Sequence, residues 1–500
     1  MPTKPHASTH PSLAAILYWT AVTLAALGLA YGIATRTDLT VGILTGILAI
    51  LIVRKKMLWG IIAVLFLPVV GELYRLPFGP DNGTLMSDVA IGAIVLVWLI
   101  GKINAHVRNK RSPTRTAAPQ STFTKPLAIF TAVAVFSLLV SLSFLTFAEV
   151  TAGSMYLIRL IEYVMFGIIT TDTVRAPTPA NAHPRTPAQN SPAQKLLTAM
   201  VIASLLIAIA GFIQLVVYPD LGKLEEFGWD PHQNRLVSTW LDPNFIAGFL
   251  TFMLAIVSGI TLYTKSLIKK TGLVIILATL AVALFLTYSR SGYLAAAAAL
   301  GIIGIFKSRK LLIGGILVGV IALNFLPRAQ ERVDDLAHSI NSFIFNSSEN
   351  PDPTARLRIV SWNQTFDLIQ QRPLLGTGYN TLKYVKYNAG FVANTDVHSA
   401  SGSDSSLLTI LATTGILGLI PFLLLYWNAL KLAVQNWKNK KLPLLWQGYG
   451  LGIFAGTIGL LVHSLFVNSL LFPQIMIFFW IGLGLLSVAP ARSESSFHSG

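Results

Sequence analysis

The sequence contains no cysteine, which excludes disulfide bonds, thiolate metal sites and cysteine nucleophiles. Charge is also scarce, because Asp, Glu, Lys and Arg make up only 12% of the 500 residues. The sequence has no glycine-rich phosphate loop, no dinucleotide-binding fingerprint, no cluster of metal ligands and no internal repeat. What it has in excess is apolar side chains, at 53% of all residues with a mean hydropathy of +0.64. These values exclude an ordinary soluble globular protein.

Apolar runs long enough to cross a bilayer, about 20 residues each, recur along nearly the whole chain. Each run must be a helix, since only a helix satisfies its own backbone polar groups in hydrocarbon. We therefore predict an all-α, polytopic integral membrane protein with about 12–14 transmembrane helices. The segments are centred at 12–34, 38–53, 57–70, 85–101, 126–147, 153–171, 196–217, 243–263, 272–288, 291–306, 311–326, 405–430, 445–466 and 473–489. The first is long enough to remain as an anchor rather than a cleaved signal peptide.

The net charge of +16 sits in short clusters between the apolar runs, which is typical of membrane topology rather than of nucleic-acid binding. With the N-terminus inside, every cluster falls in a cytoplasmic loop, as at 54–56, 269–270 and 438–441. Both termini are then cytoplasmic, as are two flexible loops at 102–125 and 172–195. The hydrophilic segment 327–404 becomes one large extracytoplasmic loop inserted in a single membrane domain, 1–500.

Within this loop, Thr354–Gln371 is predicted to be a helix that ends before Pro373. Its apolar face would consist of Leu357, Val360, Trp362, Phe366 and Ile369. The following Gly376-Thr-Gly378 indicates only a turn.

Arginines on the extracytoplasmic side go against the positive-inside trend, so each needs a reason. Arg235 and Arg290 either extend to lipid headgroups or bind a lipid-linked phosphate through their guanidinium groups. Together with Arg356 and Arg358 of the large loop, they are candidates for one anion-binding site.

Other polar residues have a structural and a functional interpretation. Arg159 and Glu162, spaced i, i+3 within the sixth helix, either neutralise each other or form an intramembrane site. Asp242 is predicted to cap the helix that begins at Pro243. His463 is interpreted mainly as a packing or hydrogen-bonding group, and Asn468 likewise.

Two side chains near the end of the loop are candidate general bases, Asp404 and His398. Either can take a proton from an acceptor hydroxyl near neutral pH if its pKa is tuned. Asp404 is also a good N-cap for the helix that begins at Ser405, and the two roles are compatible.

Several of these motifs occur in a familiar order. They are Arg235 to Asn244, Thr287-Tyr-Ser-Arg-Ser-Gly-Tyr-Leu294, Arg358 with Trp362, Arg372-Pro-Leu-Leu-Gly-Thr-Gly378, and Asp404-Ser-Ser followed by Gly415-Ile-Leu-Gly418. In this order and with this topology, the chain resembles the O-antigen ligase and polymerase superfamily of bacterial membrane glycosyltransferases.

The resemblance implies an inverting, metal-independent transfer without a cofactor, in the bacterial cytoplasmic membrane. The donor would be a glycan on undecaprenyl diphosphate in the outer leaflet, and the acceptor a lipid, a glycan or a protein; no nucleic acid is expected as a partner. By position, Arg235 and Arg290 match the family's diphosphate-binding arginines. The family usually has His-Asn-Ser where this chain has Asp404-Ser-Ser. Either Asp404, which we favour, or His398 therefore replaces the family's histidine base.

A polysaccharide polymerase of the same superfamily is the first alternative, because it shares the donor chemistry and differs in the acceptor. A peptidoglycan-type polymerase would differ only in substrate. A lipid-linked oligosaccharide flippase or other transporter is the alternative from another class. Transporters commonly show repeat symmetry and ionisable residues near the bilayer midplane, whereas this chain lacks the symmetry and its arginines cluster at one surface.

Overall fold

A computed structural model describes residues 56–73, 75–76, 84–109, 122–175, 191–227, 231–325, 330–331, 334, 353–395 and 402–488. The two segments predicted at 12–34 and 38–53 lie outside these ranges. Each of the other predicted segments coincides with a helix.

The described part of the chain is helical except for one pair of two-residue strands. Its helices are α1 (Met57–Val70), α2 (Met86–Asn109), α3 (Thr124–Ser141), α4 (Phe147–Arg175), α5 (Pro192–Val217), α6 (Pro243–Tyr263), α7 (Leu267–Leu286), α8 (Arg290–Phe306), α9 (Arg309–Phe325), α10 (Pro353–Gln371), α11 (Leu382–Asn388), α12 (Ser406–Lys438), α13 (Leu444–His463) and α14 (Pro473–Leu486). The strands β1 (Arg75–Leu76) and β2 (Thr84–Leu85) pair antiparallel between α1 and α2. Eight of the helices in the described ranges are long and apolar enough to cross a membrane. The predicted all-helical, multi-pass membrane fold is confirmed.

The outer helices expose large apolar side chains that lipid would cover. Val216 on α5 is 82% exposed and Ile268 on α7 is 87% exposed. In water such surfaces would favour aggregation, but in a bilayer they contact acyl chains. By contrast, α6 is almost entirely enclosed by other helices. It is therefore the central element of the bundle.

Close packing of α6 against α13 depends on glycine. A methyl group on Gly259 would collide with the Gly448 carbonyl oxygen and with the backbone nitrogen of Gly452. Small residues let two helix backbones approach closely, and this packing replaces the missing hydrophobic driving force in lipid.

The turn after α10 inserts into a break in α12. At Gly415 the backbone of α12 leaves the helical conformation, with φ 62° and ψ −171°. The Ala412 carbonyl, just before this break, accepts a hydrogen bond from the Thr377 amide (2.9 Å), and the Thr413 carbonyl accepts one from the Gly378 amide (3.0 Å). The apolar sequence predicted an unbroken helix here and only an isolated turn at Gly376–Gly378. We name residues 373–379 the plug.

Further hydrogen bonds fix the plug on both sides. The Ile416 amide donates to the Pro373 carbonyl (2.9 Å). From α3, the Ser137 hydroxyl lies 2.6 Å from the Leu375 carbonyl oxygen and 2.8 Å from that of Thr413. The loop is thus anchored within the helical bundle rather than resting on its end.

The loop helix α10 occupies the predicted residues, but it buries only part of the predicted apolar face. Leu357 is 71% exposed, and Val360 and Phe366 are 46% and 45% exposed. The buried face is formed by Thr365 and Leu368. Of the predicted face, Trp362 and Ile369 are half-buried, and Ile369 packs beside Leu368. The predicted face is therefore confirmed only in part.

The break in α12 requires glycine, so Gly415→Ala should destabilise the protein. The positive φ and the collision of the new methyl group with the Leu374 backbone should together cost about 1–3 kcal/mol. Gly301→Ala in α8, where the methyl group meets no atom within 4 Å, is the matched control. Thermal unfolding in detergent should show a lower midpoint for Gly415→Ala only; equal midpoints would refute the role of the break.

Candidate functional site

Three helix N-termini meet the C-terminus of α13 at one end of the bundle, which we name the loop end. The N-terminus of α6 is capped by Asp242, whose carboxylate accepts from the amides of Asn244 (2.6 Å) and Phe245 (3.2 Å), with Pro243 in the first turn. This predicted cap is confirmed. At α8, the Ser289 hydroxyl accepts from the Gly292 amide (3.3 Å).

A chain of polar side chains links α6, α8 and α13. The Ser289 hydroxyl donates to the Asn244 side-chain oxygen (2.9 Å) and lies 3.2 Å from the Ser291 hydroxyl. Ser291 in turn lies 3.3 Å from Nε2 of His463, which is fully buried. The sequence showed His463 only as a polar residue near a helix end, and nothing in it revealed these partners.

The N-terminus of α12 joins the same group through Ser464. The Ser406 amide donates to the Ser464 carbonyl (2.9 Å), and the Ser405 hydroxyl does so at 3.2 Å. The N-termini of α6, α8 and α12 therefore lie around the end of α13. Helix N-termini carry partial positive charge and favour anions.

Two of the predicted arginines lie together at the start of α8. Arg290 is its first residue and is half-buried. Arg235 donates from its guanidinium group to the carbonyls of Thr287 (2.8 Å) and Tyr288 (3.3 Å), in the turn that leads into Arg290. Arg235 thus holds the backbone that places Arg290.

The two arginines of α10 point to different sides. Arg358 is half-buried and acts electrostatically on His463, as does Asp242. Arg356 is exposed, because residues two positions apart in a helix do not share a face. The structure therefore brings Arg358, but not Arg356, towards His463.

Asp404 is an exposed residue within an otherwise buried turn. Gly402, Ser403, Ser405 and Ser406 are all buried, whereas Asp404 is exposed and has a left-handed φ of 53°. Such a conformation is uncommon outside glycine and is often found at functional sites. The cap of α12 is not Asp404 but Ser405, whose hydroxyl accepts from the Leu408 amide (3.4 Å). The predicted cap is wrong because the contacts with Ser464 turn Ser405 towards the helix and Asp404 away from it.

Buried hydroxyl groups hold this turn in place. The Ser403 hydroxyl donates to the Ser405 carbonyl (3.0 Å), and the Ser403 amide donates to the Thr409 hydroxyl (3.2 Å). Thr409 in turn donates to the side-chain oxygen of Asn468 (3.0 Å). The Asp404 carboxylate is thereby presented from a fixed backbone. The other candidate base, His398, lies outside the described residues.

The intramembrane pair has a partner that the sequence did not suggest. Arg159 on α4 forms an ion pair with Asp88 on α2 (2.6 Å), and the Tyr163 hydroxyl donates to the other oxygen of Asp88 (2.8 Å). Glu162 lies against Gly92 on α2. These contacts join α2 to α4.

Within the described residues, no group of three or more His, Cys, Asp or Glu side chains is placed to hold a metal ion. The arrangement at the loop end can instead bind an anion through arginines and helix N-termini, beside an exposed carboxylate.

Comparison with known proteins identifies one family. Residues 273–423 match the family model described as O-antigen ligase, and no curated protein matches the chain. The matched residues run from α7 to α12 and include Arg290, Arg358, the plug and Asp404, whereas Arg235 and His463 lie outside them. The resemblance seen in the sequence is thereby confirmed.

The distinction between Ser405 and Asp404 gives a stability test. Ser405→Ala should lower the thermal midpoint in detergent, because loss of an N-cap costs about 1 kcal/mol. Asp404→Asn should lower it less, since asparagine also tolerates a left-handed backbone and Asp404 caps nothing. The reverse order of the two midpoints would show that Asp404 is the cap.

Proposed function

We propose that this chain, which carries an O-antigen ligase domain in residues 273–423, transfers a glycan from undecaprenyl diphosphate to an acceptor hydroxyl. The domain belongs to a family of glycosyltransferase-type membrane enzymes, whose substrates are lipid-linked glycans. The proposal extends this to the donor lipid, to the inverting course of the reaction and to the residues that carry it.

One observation carries the proposal: cations and helix N-termini converge at the loop end. Arg290 begins α8, Arg358 acts on the buried His463, and Ser291 connects the two through its contact with that histidine. A diphosphate carries several negative charges, and guanidinium groups bind phosphate oxygens in a bidentate manner. This end of the bundle therefore has the chemistry that a diphosphate needs.

The placement of these groups supports an inverting displacement. The acceptor oxygen attacks the anomeric carbon from the face opposite the diphosphate, a carbon–oxygen bond forms, and the bond to the diphosphate breaks with inversion. The bonding electron pair leaves with the diphosphate, where Arg290 and Arg358 stabilise the developing charge. The proton of the acceptor hydroxyl passes to the base, Asp404 or His398.

Two features support Asp404 as the base. Its carboxylate is exposed to an incoming acceptor, and its backbone is held by the buried turn 402–406. A general base must be within hydrogen-bonding reach of the proton that it takes, so a fixed position favours the role. Arg235 has a supporting role, because it holds the turn before Arg290.

We further propose that the loop end faces outward and that both termini are cytoplasmic. The distribution of lysine and arginine clusters supports this orientation. It places the loop end at the leaflet where a lipid-linked glycan would be consumed.

Removal of the arginines should abolish transfer without unfolding the protein. In proteoliposomes with a labelled undecaprenyl-diphosphate glycan, Arg290→Ala and Arg358→Ala should each slow transfer by about 10²–10³-fold, as loss of a preorganised charge-stabilising group does. Arg235→Ala should reduce activity through displacement of Arg290. Lys223→Ala, which removes an exposed cation between α5 and α6, is the control and should keep full activity. Full activity in both Arg290→Ala and Arg358→Ala would rule out the diphosphate site.

The same assay separates the two candidate bases. Asp404→Asn keeps the shape of the side chain but removes the basic carboxylate, so it should reduce the transfer rate by about 10²–10⁴-fold. His398→Ala should then retain most of the activity. The opposite result would make His398 the base.

The identity of the labelled product distinguishes the remaining alternatives. A labelled glycolipid or protein indicates a ligase, and a lengthened lipid-linked glycan indicates a polymerase. Movement of intact donor across the bilayer, with no labelled acceptor, would indicate a transporter and contradict the proposal.

A further inference from the structure

Lys386 on the short loop helix α11 is almost completely buried, with 1% of its surface exposed. Its ammonium group donates to the Gly402 carbonyl (2.7 Å) and to the Ser361 hydroxyl (3.1 Å). Lysine is almost never fully buried, because loss of water around the charge is costly unless other groups compensate. The sequence alone gives no sign of this burial, since a lysine in a polar loop is normally exposed.

The two hydrogen bonds connect three separate parts of the loop. Ser361 belongs to α10, Lys386 to α11, and Gly402 lies two residues before Asp404. Gly402 is itself packed against Asn468, which receives a hydrogen bond from Thr409. Lys386 therefore holds the first residue of the turn that presents Asp404, while the hydroxyl groups hold the rest.

The ammonium group also acts on Asp404 through its charge. Burial lowers the pKa of Lys386 to about 8, and Asp404 is the charged group that opposes this shift. Ser361, which faces the ammonium from α10, is uncharged. On the same helix, the ammonium of Lys383 lies over the Tyr384 ring, 4.9 Å from its centre. The ammonium and the Asp404 carboxylate therefore attract each other electrostatically, which favours one position of the carboxylate.

We propose that Lys386 is a positioning residue for glycan transfer, which fixes the turn that carries Asp404 and attracts the Asp404 carboxylate. The proposal rests on the function proposed above, with Asp404 as the base. Lys386 does not touch the substrate, because it is enclosed by α10, α11 and the turn. Its loss should therefore impair the chemical step rather than donor binding.

The sign of the pH effect follows from the lysine. Below about pH 8 the Lys386 amine is protonated, so it binds the Gly402 carbonyl and attracts the Asp404 carboxylate. Above about pH 8 the positive charge of Lys386 is lost. The transfer rate of the wild-type protein should thus fall as the pH rises through about 8.

The test compares Lys386→Met, Lys386→Arg and Lys383→Met in the proteoliposome assay, with kcat, KM for the undecaprenyl-diphosphate glycan and the pH profile measured for each. We expect Lys386→Met to lower kcat by about 10- to 100-fold, the size of effect that a misplaced catalytic group produces, with an unchanged KM and no fall in rate near pH 8. Lys386→Arg should recover activity and move that fall to higher pH, because arginine stays charged. Lys383→Met, the matched control on the same helix, should behave as wild type.

Double substitution separates this proposal from the one on which it rests. Adding Lys386→Met to Asp404→Asn should cause no further loss if Lys386 acts through Asp404. Wild-type kcat and pH profile in Lys386→Met, or a raised KM alone, would overturn the positioning role while leaving the transfer reaction intact. If Lys386→Met does not fold, Lys386→Arg provides the test. A transfer rate that still falls near pH 8 in Lys386→Arg would overturn the positioning role. Absence of transfer by the wild-type protein would overturn both proposals.

Discussion

The hydrogen bonds between the plug and the break in α12 hold the large loop within the membrane domain. A helix that stops inside the bilayer leaves backbone groups without partners, which is tolerated only where other protein groups bind them. Here the amides of Thr377 and Gly378 bind the carbonyls of Ala412 and Thr413. The loop helices α10 and α11 are therefore attached to the same helix whose N-terminus carries Asp404.

This attachment makes the loop end one connected structure. Arg358 and Lys386 come from the loop, Arg290 and His463 from the bundle, and Asp404 from the junction between them. Fixed positions matter for charge stabilisation, because groups already oriented towards a developing charge need not reorganise during the reaction. The proposed chemistry therefore depends on a loop that is built into the fold rather than on a mobile lid.

The sequence predicted the helices well, because spanning segments are marked by long apolar runs and backbone satisfaction allows no other structure. It failed where distant contacts decided the outcome. Gly415 lies in an apolar stretch that fits a helix. The plug, which hydrogen-bonds to the backbone at this break, is about forty residues upstream. Asp88, the partner of Arg159, is 71 residues away in the sequence, and the i, i+3 spacing rule does not predict such a distant pair. Capping rules predicted Asp404 as the N-cap of α12, whereas Ser405, which contacts Ser464, is the cap.

A structure of the protein with bound undecaprenyl diphosphate would test the site as a whole. The diphosphate should lie at the N-terminus of α8, within hydrogen-bonding distance of the guanidinium groups of Arg290 and Arg358, with Asp404 on the side from which an acceptor approaches. A diphosphate bound elsewhere, such as beside Arg159 between α2 and α4, would contradict the proposed mechanism.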